Sequence, residues 1–211
     1  MHPRDCPDFE YSDDPRKSRV FVSALADVGE IVRTARSVEI FADTRSIHRR
    51  LFRDLCPPGH EYYAGHYRGE DYRCLKFNNV TIPSDPRVGL TARRVPGEMI
   101  TFGQSVLAEI AAVDSGSTQR STTAGKAERL IFTVVTACRL FVRFLTIHPY
   151  VNGNGHVARF LLTGFLQRHG YGLKFFAIDP RPPDPPYSDL IKLYRDGIVE
   201  PFERYILEQI G

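Results

Sequence analysis

Residues 148–159 read His148-Pro149-Tyr150-Val151-Asn152-Gly153-Asn154-Gly155-His156-Val157-Ala158-Arg159. Imidazole near its free pKa is the usual base for activating a hydroxyl at neutral pH, and His148 has that chemistry. Gly153 and Gly155 let the backbone turn tightly and leave its N–H groups uncovered. A helix starting there has first-turn amides without internal partners and a dipole that favours negative charge. Gly153, Asn154 and Gly155 therefore form a candidate phosphate site, with the Asn154 side-chain amide as a further donor. One turn later, the guanidinium fork of Arg159 suits phosphate oxygens.

Two apolar segments must hold this turn in place. Leu130 to Ile147 is nearly continuous Leu, Ile, Val and Phe. Proline at 149 ends that helix near His148. Downstream, Val157, Phe160, Leu161, Phe165 and Leu166 recur at helical spacing.

The ordered set His148, Pro149, Tyr150, Gly153, Asn154, Gly155 and Arg159 resembles the signature of Fic-domain proteins, His-Pro-Phe-x-(Asp/Glu)-Gly-Asn-Gly-Arg-x-x-Arg. The resemblance implies a mainly α fold, a Fic-type helical bundle with a short β-hairpin flap. It also implies an enzyme. In that family the residue matching His148 deprotonates a Ser, Thr or Tyr hydroxyl on a target protein. The hydroxyl then attacks a nucleotide phosphate, and most members transfer AMP from ATP. The implied site comprises His148 as base, with Asn152, Gly153, Asn154, Gly155, His156 and Arg159 on the nucleotide phosphates. The implied ligands are ATP as donor and Mg²⁺, and the implied partners are a protein substrate and a separate inhibitory protein.

Two positions depart from the signature. Asn152 stands where the family acid ligates Mg²⁺, and a neutral carbonyl oxygen is a weaker ligand for a hard cation. His156 stands where an arginine contacts phosphate, and it is shorter and mostly neutral at pH 7. Two lost charges leave three alternatives open: weakened AMP transfer, transfer of a different phosphate-containing group, or a degenerate fold that binds a nucleotide or peptide.

The resemblance also gives a role to Gly65–Pro83. Tyr72, Cys74 and Lys76, then Val80 and Ile82, flank Phe77-Asn78-Asn79, and asparagine tolerates tight turns. The pattern predicts a short hairpin. After Gly65-His66-Tyr67-Arg68 it is similar to the family's target-docking flap, with Phe77, Asn78, Asn79 and Val80 as docking residues. An exposed strand edge can pair with a peptide main chain. The segment Ser105–Glu109 fits the first half of a family inhibitory pattern, but Ile110 follows, so a helix-surface coincidence is expected.

At 211 residues the chain suits a flexible N-terminal arm (1–17) and a single domain (18–211). Apolar content of 42% and charged content of 25% are ordinary for a soluble globular chain. A net charge of +3, with Lys and Arg scattered, gives no reason to expect nucleic acid. Arg139 and Arg143 inside the apolar segment argue against a membrane span, and residues 1–17 lack a signal-peptide core. The four cysteines show no metal spacing and no paired framework, so reduced thiols and a cytoplasmic setting are expected. His2, His48, His60, His66 and His169 are expected to be solvated, and Phe175 and Phe176 to be core.

Overall fold

The computed structural model describes residues 6–22, 26, 37–116 and 122–211. Helix α1 spans Ser37–Ala42 and α2 Arg45–Phe52. Helix α3 spans Val95–Gly116, α4 Thr123–Ile147 and α5 Asn154–Arg168. Helices α6, Tyr187–Arg195, and α7, Glu200–Glu208, close the chain. The fold is mainly α, as the sequence predicts. Of the helix expected over Arg19–Val38, residues 23–25 and 27–36 lie outside the described residues.

Helix α4 is the axis. It packs against α5, α3, α7 and α6. Val134, Cys138, Phe141 and Phe144 are buried along it. Thr122 starts it, its hydroxyl accepting from the Gly125 amide at 3.1 Å. Its length and apolarity would suffice to cross a membrane, but most of it is covered by neighbouring elements. Arg139 and Arg143 within it lie against α3. Arg143 donates to Ser105 and pairs with Glu98 at 3.0 Å, and Arg139 pairs with Glu109. Those bonds account for Ser105 and Glu109 as surface partners of α4.

Gly65–Pro83 departs from the expected hairpin. Among the described residues no strand ladder forms, and Leu173 and Ile210 make one isolated bridge. Consecutive residues Cys74 and Leu75 are both buried, which breaks the alternation a strand needs. Residues 69–78 close into successive turns, with Gly69 and Asn78 amides donating to Leu75 O at 2.8 and 3.1 Å. Asn79 Oδ1 accepts from the Ala92 amide at 2.8 Å, so the Asn-Asn pair ties the segment to the turn that leads into α3.

The cysteine expectation also fails in part. Cys6 and Cys74 form a disulfide, with Cα atoms 5.7 Å apart across 68 residues of sequence. Cys56 and Cys138 are free and buried. No spacing rule reveals a pair this distant, because the partners meet only when the arm lies against the 69–78 turns. The arm itself is packed: Phe9 and Tyr11 are buried in the core with Phe21 and Phe52. Phe176 is core, whereas Phe175 is exposed.

Candidate active site

The motif loop joins α4 to α5. Helix α4 ends at Ile147, and His148 adopts the left-handed conformation, φ 53°. That conformation is uncommon for a residue with a Cβ and persists where the surroundings enforce it. Arg68 supplies the enforcement. Its side chain is fully buried, and Nε and Nη2 donate to His148 O at 2.9 and 2.6 Å. Nη2 also reaches Ile147 O at 3.2 Å, and Nη1 reaches Asn78 O at 2.9 Å. The guanidinium thus caps the carbonyl end of α4, where the dipole favours a cation. Burial pulls its pKa down to about 10, so it stays charged at neutral pH.

Burial, then the Arg68 charge, holds His148 down at about 4. It is neutral at pH 7, as a base must be. Nδ1 is buried and has no hydrogen-bond partner among the described residues.

Gly153 turns the chain at φ +82°, and a Cβ there would meet the Phe52 ring at 2.4 Å. Only glycine satisfies both conditions. A Cβ on Gly155 would lie 3.1 Å from Arg159 Nη1, so the guanidinium folds back over the first turn of α5. Arg159 is buried and anchored through Nε to Ile178 O at 2.7 Å. His148, Gly155 and Arg159 line one cavity of about 620 Å³, whose far wall includes Ser84, Arg181 and Lys192. The Asn154 and Gly155 amides are first-turn donors without intrahelical acceptors. A neutral imidazole therefore shares a cavity with a helix start whose first amides have no intrahelical acceptors.

Three residues have other work than expected. Asn154 Oδ1 accepts from the Tyr150 amide and Nδ2 donates to Tyr150 O, both at 2.9 Å. Its carboxamide is spent within the loop, so only its backbone N–H remains for an anion. Asn152 Oδ1 accepts from the Gly153 amide at 2.7 Å, and Nδ2 donates to Phe9 O at 2.6 Å and Glu10 Oε1 at 3.1 Å. His156 has both ring nitrogens engaged: Nδ1 with the Tyr11 hydroxyl at 3.3 Å, Nε2 with Asp179 Oδ1 at 3.0 Å. Burial, then Arg159, lowers its pKa to about 4 despite Asp179. For Mg²⁺ the fit fails. The Asn152 carbonyl oxygen is already bonded, and no cluster of acid, His or Cys ligands exists among the described residues.

His48, expected in solvent, is fully buried beneath the loop. Nδ1 accepts from the Gly65 amide at 3.0 Å, which leaves the proton on Nε2 to bond Asn152 O at 2.9 Å. Its ring stacks on Tyr150 at 3.6 Å. Tyr150 in turn bonds the Thr44 hydroxyl at 2.7 Å. His169 is also buried, bonded to Phe165 O. The helical spacing of His48 with Leu51 and Phe52 was the available signal for its burial.

Residues 40–166 match the family described as Fic/DOC, which is more than half of the chain. The chain belongs to that family. Curated relatives include the protein adenylyltransferase Fic of Drosophila virilis and of Drosophila melanogaster, each 35% identical over 66 residues. Each match covers 31% of this chain and spans 13% of the relative's length. In fold, the chain resembles BepC, a VirB-translocated effector of Bartonella tribocorum solved with bound AMPPNP. The TM-score is 0.50 at 14% identity, covering 92% of this chain and 87% of BepC.

Proposed function

We propose that this chain transfers a nucleotide-derived group, AMP from ATP, to a Ser, Thr or Tyr hydroxyl on a protein. The observation that carries this reading is the cavity shared by neutral His148, Gly155 and Arg159. His148 Nε2 takes the hydroxyl proton as the oxygen attacks the α-phosphorus, and pyrophosphate leaves. The Asn154 and Gly155 amides and the Arg159 guanidinium hold the charge on the phosphoryl oxygens. Family membership and the relatives' names support a transferase; the group moved is the proposal.

Phe77–Val80 is proposed as the target-docking segment. Phe77 is exposed, and the chain runs on to Ile82, which lines the cavity. It is a looped edge rather than a hairpin.

A second reading, a binding module without transfer, is favoured by the engagement of Asn152 and His156 in internal bonds. Incubation with a target-cell lysate and ATP labelled at the α-phosphate separates the two. Transfer predicts labelled protein with the wild type and none with His148→Ala. ATP binding without label in either supports the module. Equal label in both removes His148 from the mechanism.

A further inference from the structure

Asn152 and His156 are the two departures from the signature, and the side chains of both hold the N-terminal arm. Asn152 Nδ2 donates to Phe9 O and Glu10 Oε1. The His156 ring lies 4.8 Å from Phe21, 5.7 Å from Phe52 and 5.9 Å from Tyr11. An aspartate at 152 would set a carboxylate against the Phe9 carbonyl and the Glu10 carboxylate. An arginine at 156 would bury a longer cation among those rings.

The arm is held in an unusual way. Among the described residues, no backbone-to-backbone hydrogen bond joins residues 6–22 to residues 37–211. It is fastened by side chains and by one covalent bond. Tyr63 donates to Pro7 O at 3.1 Å, Lys17 faces Asp179 at 3.8 Å, and Cys6 is bonded to Cys74. Cys74 is buried while Cys6 is partly exposed, so a small thiol reaches the bond from the Cys6 side. Phe9, Tyr11 and Phe21 add core contacts, and with no backbone bonds to residues 37–211 the arm's hold rests on side chains and the disulfide.

We propose that residues 6–22 are a redox latch on the motif loop. With the Cys6–Cys74 disulfide closed, the arm covers Asn152 and His156. With it reduced, the arm leaves and that face of the loop is exposed. The reductant is a dithiol. Its thiolate attacks Cys6 Sγ, the S–S bond breaks, and Cys74 leaves as a thiolate that takes a proton. The second thiol of the reductant then displaces Cys6, so two electrons and two protons pass to the protein and the reductant becomes a cyclic disulfide. The functional meaning of the latch rests on reading this loop as a phosphate site, and arm release and ATP binding are measured separately.

Hydrogen–deuterium exchange at short labelling times tracks the segments 7–22, 150–157 and 123–147. Oxidised wild type, wild type in dithiothreitol and Cys6→Ser are compared. Reduction, with both thiols confirmed by mass, raises exchange of 7–22 and 150–157 about tenfold or more and leaves 123–147 protected. Cys6→Ser shows the same fast exchange with no further effect of dithiothreitol. Unchanged exchange after reduction overturns the latch. Loosening of 7–22 alone overturns it too, because the arm then covers nothing, and simultaneous labelling of 123–147 marks a fold staple instead. ATP titration of both states tests the other claim. Arm release with no ATP binding in either state retains the latch and refutes the phosphate-site reading.

Discussion

His48, His148 and His156 are held neutral by burial, at about 3, about 4 and about 4, against an ordinary 6.5. Between pH 6.5 and 4 the unfolded chain binds protons at these sites that the folded chain does not. Stability therefore rises with pH across this window and is lost as pH falls through it. The expected outcome is a urea midpoint that drops steadily from pH 6.5 to 4. A flat midpoint would show that the three rings are not held neutral. Asn152 makes a second test of a single side chain. Asn152→Asp removes the donor to Phe9 O and should lower stability by about 1–2 kcal/mol, read from urea unfolding at pH 7. Unaltered stability would remove Asn152 as an arm contact. His148 and Arg159, singled out by type and spacing, do line one cavity, because the Pro149 break and the glycines fix how α4 and α5 meet. The role of Asn154 was not legible in the sequence, because its amide could serve a ligand or the loop, and only the loop's closure on Tyr150 decides.

Between elements, Arg68 is the joint. It holds the end of α4, the αL turn at His148 and the 69–79 segment with one buried cation. Arg68→Ala leaves the His148 and Asn78 carbonyls without donors, while Ile147 O keeps the Leu90 amide, and should destabilise the fold by about 2–4 kcal/mol. Arg68→Lys recovers only part, since a single ammonium cannot span Asn78 O and His148 O. Denaturant unfolding of both variants checks this, and full recovery with lysine would contradict it. Helices α4 and α5 were legible from apolar spacing, Pro149 and the glycines. The hairpin was misread because β-branched residues around an Asn-Asn pair suit a turn-and-strand pattern locally. Tertiary bonds from Arg68 and Ala92 claimed those groups instead.

In the molecule as a unit, the bundle around α4 brings the neutral His148 ring and the start of α5 to one cavity. The arm and disulfide close over the adjoining face of the same loop. That arrangement was invisible in the sequence, since residues 6–17 show no periodicity and Cys6 gains a partner only through the fold. It also recasts the two signature departures as parts of an intramolecular interface.

Whether His148 acts as a buried, neutral base is read from the pH dependence of label transfer from ATP, on oxidised and reduced protein, between pH 5.5 and 8. A base whose pKa lies near 4 is already deprotonated throughout this range. The expected rate does not fall toward pH 5.5 and vanishes in His148→Ala. A rate that halves near pH 6.5, or that survives the substitution, would contradict a neutral His148 base.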